Sequence, residues 1–283
     1  MAKWPLDPNK IWGAFKEIAA ATAQDAGIVL AGDPSLTAKA QEALSPDGWH
    51  ARLWQGAAEG LAGLALGPGD VLLVLVQPNE EDVWAAAVRA AALPLGAVVV
   101  VDDGPAATQR TTWYDKHRAR VSFSPTPEGW TAVWTAVVEV GGDHVVALGR
   151  RFPILRGWAS RKVIKRTARQ NGLVGAAFIV PGTDMPIMTL NQIKMVLSIA
   201  AIHGEEITTE RAIELVGVVG SGFGMRAVAR QALDLVPGPG WLFKGAVGYT
   251  GTRALGEAAL RYFDLGAPAT PGRLSSLARR IKR

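Results

Sequence analysis

LLVLVQPNEEDVWAAAVRAAALPLGAVVVV, residues 72 to 101, sets two charge-free runs, Leu72 to Val76 and Ala97 to Val101, on either side of a stretch from Glu80 to Ala92 with helical periodicity. A run that is apolar at every position buries both of its faces, and such runs alternating with helices indicate a parallel sheet covered on both sides. Outward from this unit the same alternation continues. Gly27-Ile-Val-Leu-Ala-Gly32 reads as an earlier strand, followed by a helix starting at the Asp33-Pro34-Ser35 corner. Arg120-Val-Ser-Phe-Ser124 reads as a fourth strand before a helix over Trp130 to Val138, and residues 8 to 23 as an amphipathic helix in front of the sheet.

With 283 residues, 49% apolar and 19% charged, the chain can bury a substantial core. It has no cysteine, and its four histidines are scattered, which removes disulfides, thiol nucleophiles and thiolate metal sites. The start, MAKWPLDPNK, has no long apolar core, so no secretory signal is expected and the cytoplasmic side is the expected location.

The charge is unevenly placed. Residues 1 to 150 carry a net −6 and residues 151 to 283 a net +11, which places an expected domain boundary near residue 150. No acidic residue lies between Asp143 and Asp184, and that gap holds Arg150, Arg151, Arg156, Arg161, Lys162, Lys165, Arg166 and Arg169.

Ligands of open parallel sheets bind outside the carboxyl ends of the strands, so phosphate chemistry is sought first after Gly32. A phosphate-binding loop needs several glycines, a lysine and a Ser or Thr for magnesium. Gly32-Asp-Pro-Ser-Leu-Thr-Ala-Lys39 has a single glycine, a proline that deletes one N–H, and Asp33 where phosphate would sit. Gly32, Asp33 and Lys39 are therefore weak nucleotide candidates, against the alternative of an ordinary strand-to-helix turn. Asp102 and Asp103 read either as a magnesium or phosphoryl site or as a capped turn.

The second half is glycine-rich and helical. Gly172 to Pro181 is uncharged but too short to span a bilayer, which needs about 20 residues. A helix is expected over Thr189 to Ala201, ended by Gly204, another from Thr208 or Thr209 that carries Leu215 to Met225 and is stopped by Pro237-Gly-Pro-Gly240, and a last one from Trp241 to about Phe263. Gly248, Thr252 and Gly256 recur at four-residue spacing, as do Gly220 and Gly224, and glycines within helices imply close helix contact. The carboxyl tail, with Arg279, Arg280 and Lys282, is basic and amphipathic and could lie on anionic lipid. Asp184, Asn191 and Gln192 read either as the lining of a polar pocket or as caps and buried helix-to-helix hydrogen bonds.

At Ala168-Arg-Gln-Asn171, Pro181-Gly-Thr-Asp184 and Leu190-Asn-Gln-Ile-Lys-Met195, closing at Ile202-His-Gly204, residues 150 to 265 resemble a bacterial family known as the domain of unknown function 697 family. Members are often fused behind Era-like or Ras-like GTPase domains and usually carry tyrosine where this chain has His203. The resemblance implies a helical, often membrane-associated module. It also makes the first half look like a GTPase-type domain stripped of its machinery, with Ser122-Phe-Ser124 at the place of the last base-contacting loop. Val101-Asp-Asp-Gly104 stands where the guanine reader would be.

The expectation is thus an α/β protein with a degenerate GTPase-like parallel-sheet domain over 1–150, an all-α domain over 151–266 and a basic tail over 267–283. It is expected to be a non-catalytic scaffold or adaptor with no cofactor and no metal, peripheral to or partly inserted in the inner face of the cell membrane. Arg161, Lys162, Lys165, Arg166, Arg169, Arg279, Arg280 and Lys282 would meet the anionic surface, and the acidic first half a protein partner. Nucleic acid ranks below both, since no recognition motif with interleaved aromatics accompanies the charge. The alternatives are a divergent nucleotide hydrolase and a soluble homo-oligomeric adaptor.

Overall fold

A computed structural model describes residues 8–44, 51–91, 96–104, 110–177, 185–206 and 240–265. Asp184, the expected helix from Thr208 or Thr209 to the stop at Pro237, and the tail with Arg279, Arg280 and Lys282 lie outside these residues. The strands are β1 (Ile28–Gly32), β2 (Arg52–Leu53), β3 (Val71–Val76), β4 (Ala97–Asp102), β5 (Arg110–Trp113) and β6 (Arg118–Phe123). The helices are α1 (Pro8–Ala23), α2 (Pro34–Leu44), α3 (Glu81–Ala90), α4 (Pro127–Val140), α5 (Val145–Arg151), α6 (Arg156–Ala177), α7 (Met185–Ile202) and α8 (Gly240–Asp264).

The strands form one sheet in the order β2-β1-β3-β4-β6-β5, parallel except for β5. β3 is its centre, and all six of its residues are buried because both faces are covered. Val71, Leu73 and Leu75 join Leu30, Val98, Val100, Val121 and Phe123 in a cluster with α2, α4 and α5. Leu72, Val74 and Val76 face the other way, against Trp84 and Val88 of α3 and Ala58 and Leu61 of a 3-10 turn. The strand expected at Arg120 begins at Arg118. It pairs with β4 on one side in parallel and with β5, an antiparallel edge strand, on the other.

Local chemistry explains the ends. Thr126 caps α4 by accepting the Gly129 N–H at 3.2 Å, with Pro127 in the first turn where its missing N–H costs nothing. The expected boundary at residue 150 falls within α5, and the apolar core runs across it. Val137, Val146, Leu148, Phe152, Leu155, Ile193, Leu197 and Ile202 belong to the same cluster as Leu30 and Leu73. The charge changes at this point and the packing does not.

Beyond α5, helices α6, α7 and α8 form a tight layer. A side-chain carbon at Gly248 would stand 2.6 Å from the Asn171 carbonyl oxygen, and one at Gly256 would stand 2.6 Å from Ile164 Cγ1. These glycines let the α8 backbone approach α6, as the four-residue spacing predicts. Among the described residues no helix is long and apolar enough to cross a membrane.

Candidate functional site

The turn after β1 is the first place to look, and its groups are already engaged. Gly32 has φ +107°, and a side-chain carbon there would lie 2.1 Å from the Leu75 carbonyl oxygen, so glycine is needed for close passage beside β3. Asp33 is the cap of α2: its Oδ1 accepts the Leu36 N–H at 2.9 Å, and its own N–H donates to Leu75 O at 2.7 Å. A carboxylate thus takes a donor that a phosphate would need. Lys39 lies exposed further along α2.

Asp102 and Asp103, at the end of β4, divide in the same way. Asp102 Oδ1 accepts the Gly104 N–H at 3.1 Å, which makes it a turn residue. Asp103 accepts the Ser122 hydroxyl and lies 3.5 Å from Arg120 Nη2. Arg120 also holds Glu81 through two parallel bonds, its Nη2 donating to Glu81 Oε2 at 2.8 Å. Its pKa is raised, mainly by the hydrogen bond to Glu81, so the guanidinium is a fixed cation tying α3 to β6. Ser122-Phe-Ser124 is buried, with Phe123 in the core. Among the described residues no group of three or more His, Asp or Glu is disposed to hold a metal ion.

The basic run on α6 separates by helix geometry. Arg161, Lys165 and Arg169 are four residues apart, so they neighbour one another along one face, and all three are exposed. None forms an ion pair among the described residues. The next step of four reaches Leu173, which is 72% exposed. Lys162 leaves this surface: its ammonium donates to the Val138 and Glu139 carbonyls at the end of α4, both at 2.7 Å, and lies 3.4 Å from the Glu139 carboxylate. Burial, opposed by Glu139, lowers its pKa. Arg166 is also engaged, its Nη1 donating to Asp143 Oδ1 at 2.7 Å and holding that carboxyl below the usual range. The exposed ridge is therefore Arg161, Lys165 and Arg169, with Arg166 beside it.

Asn191 and Gln192 belong to a hydrogen-bond network between helices. Asn171 is fully buried on α6 and donates to the Met188 carbonyl at 3.1 Å and to Thr252 Oγ1 at 3.0 Å. Asn191 donates to Asn171 Oδ1 at 2.9 Å, and Gln192 donates to Thr252 Oγ1 at 2.9 Å. The set joins α6, α7 and α8, and leaving any member unpaired costs about 1–3 kcal/mol. Asn171 and Thr252 complete a network in which the sequence assigned a polar role to Asn191 and Gln192 and none to these two. The signal was available in Asn171 and Thr252 as polar residues among glycines at helix-contact spacing.

His203 closes the far end of the layer. Its Nδ1 lies 2.8 Å from Ile199 O and its Nε2 lies 3.0 Å from Asp264 Oδ1, joining the ends of α7 and α8. Comparisons of the chain with protein-family models, curated proteins and solved structures gave no match.

Proposed function

We propose that this protein is a non-catalytic adaptor that docks on an anionic lipid surface through the exposed face of α6. The observation that carries this reading is the ridge Arg161, Lys165 and Arg169, three exposed cations in one row without ion-pair partners among the described residues, continued by exposed Leu173. A basic ridge ending in an apolar side chain matches a headgroup layer over hydrocarbon, and each cation near such a surface contributes about 1 kcal/mol. Docking of this kind needs no spanning segment. The basic tail with Arg279, Arg280 and Lys282 would add a second anchor.

The sheet serves this reading as a scaffold. Its order places β1 and β3 side by side, as in flavodoxin-like doubly wound sheets, and the acidic carboxyl edge formed by Glu80, Asp82, Asp102 and Asp103 is the surface for a protein partner. Descent of this half from a GTPase-type domain, and membership of the second half in the domain of unknown function 697 family, are part of the same proposal. They rest on the sequence resemblance alone. A divergent hydrolase is disfavoured by Asp33, whose carboxylate already caps the helix that would receive phosphate.

Sedimentation of the full-length protein with vesicles tests this directly. Binding to phosphatidylglycerol vesicles at low salt, and none to phosphatidylcholine, is expected. R161Q/K165Q/R169Q should weaken binding about a hundredfold, three contributions of about 1 kcal/mol each. Equal binding of the triple variant, or binding unaffected by salt, would remove α6 as the docking face.

A further inference from the structure

Arg150 and Arg151 end α5, and Arg156 opens α6. Between them Phe152 and Leu155 are buried in the core, so the short turn Pro153–Leu155 pins the two helix ends together. The three arginines therefore line one groove of about 440 Å³, bounded by Thr22 and Asp25 from the α1 to β1 connection and by Gly204 after α7. Their side chains share none of the α6 ridge. The groove lies at the amino-terminal edge of the sheet, opposite the edge where doubly wound sheets receive ligands.

Charge in this groove is out of balance. Arg151 Nη1 donates to Asp25 Oδ1 at 2.9 Å and to the Ala26 carbonyl at 3.1 Å, while Arg150 Nη1 donates to the Glu205 carbonyl at 3.3 Å. Asp25, the carboxylate in the lining, is 91% exposed, so water screens its pairing with Arg151. Arg156 forms no ion pair among the described residues, and the Nε atoms of Arg151 and Arg156 are both shielded without an acceptor. Three guanidiniums against one water-exposed carboxylate leave two positive charges in a recess of the size that holds small ligands. Planar guanidinium forks match the oxygens of phosphate, and a phosphate monoester carries close to two negative charges at neutral pH.

We propose that the Arg150, Arg151 and Arg156 groove is a binding site for a phosphate monoester, carried by a small metabolite or by a lipid headgroup. Arg156 is its central contact, and Asp25 competes with the ligand for Arg151. The proposal is independent of the α6 ridge.

The test measures the melting temperature of the full-length protein in glycerol phosphate against sodium chloride of equal ionic strength. A saturating rise is expected, with affinity weakened about tenfold or more in R156Q, the loss of one charge-assisted bond. D25N should tighten binding about threefold by removing the competing charge. That opposite sign separates a ligand site from a structural ion pair, and it keeps the test open if R156Q fails to fold. The lipid source is read in the R161Q/K165Q/R169Q background: retention on phosphatidic acid vesicles but not on phosphatidylglycerol, lost with R156Q, assigns a headgroup. A response to free glycerol phosphate alone assigns a metabolite. No response to either form, a response unchanged by R156Q, or D25N binding no more tightly than the parent overturns the proposal.

Discussion

Lys162 and Arg161 are consecutive in the basic run, yet a rotation of about 100° per residue on a helix sends one to the surface and the other under the end of α4. The Lys162 ammonium meets two carbonyls at 2.7 Å there and loses much of its water, which lowers its pKa below the ordinary lysine value of 10.5. The unfolded chain then holds a proton that the folded chain has released, so folding stability rises with pH in the window just below 10.5. Urea unfolding of the parent and of K162M across the alkaline range should show that rise in the parent and a flatter line in the variant. Equal slopes would mean that burial of Lys162 carries no protonation penalty. At this scale the sequence made some residues readable and others not. Asp33 and Pro34 spoke against a phosphate loop from their chemistry alone, and in the fold the Asp33 carboxylate accepts the Leu36 N–H. The burial of Lys162 depended on which way α6 faces, and a basic run does not carry that information.

Among the elements, α8 shows the clearest link from sequence to packing. Gly248, Thr252 and Gly256 share one face, and α6 lies against it so closely that a carbon at Gly248 would stand 2.6 Å from the Asn171 carbonyl oxygen and 2.8 Å from Met188 Cε. G248A should therefore destabilise the protein by up to about 2 kcal/mol, since overpacking costs about 1–3 kcal/mol and the helix recovers about 1 kcal/mol in propensity. Gly13 is the control: it sits inside α1 with nothing within 4 Å of an added carbon, so G13A should stabilise by about 0.5–1 kcal/mol. Chemical denaturation of both variants checks the pair. The same change with opposite signs separates contact glycines from incidental ones. The long elements were legible because periodicity accumulates over many residues. β2 and β5 were not, because two exposed residues and the largely exposed Arg110-Thr-Thr-Trp113 produce no buried pattern. Only pairing with β1 and β6 makes them strands.

For the molecule as a whole, the change of charge at residue 150 and the continuity of the core pull in different directions. Leu30 and Leu73 from the sheet share a cluster with Leu197 and Ile202 from α7, and Glu17 on α1 pairs with Lys194 on α7. Unfolding in urea, followed by tryptophan fluorescence and by far-ultraviolet circular dichroism, is expected to give coincident single transitions. Two separated transitions would instead support independently stable units on either side of residue 150. The amino-acid sequence by itself determined the parallel sheet, the order of most helices, the glycine contact face of α8 and the acid-free stretch on α6. These follow from residue type and spacing within single elements. The tertiary structure alone decided that Arg161, Lys165 and Arg169 face outward while Lys162 is buried, that Asn171 and Thr252 complete the hydrogen-bond network, and that Arg150, Arg151 and Arg156 converge on one groove beside Asp25. The physical reason is that each of these depends on what packs against an element from a distant part of the chain, and local spacing sets a residue's face without setting what that face meets.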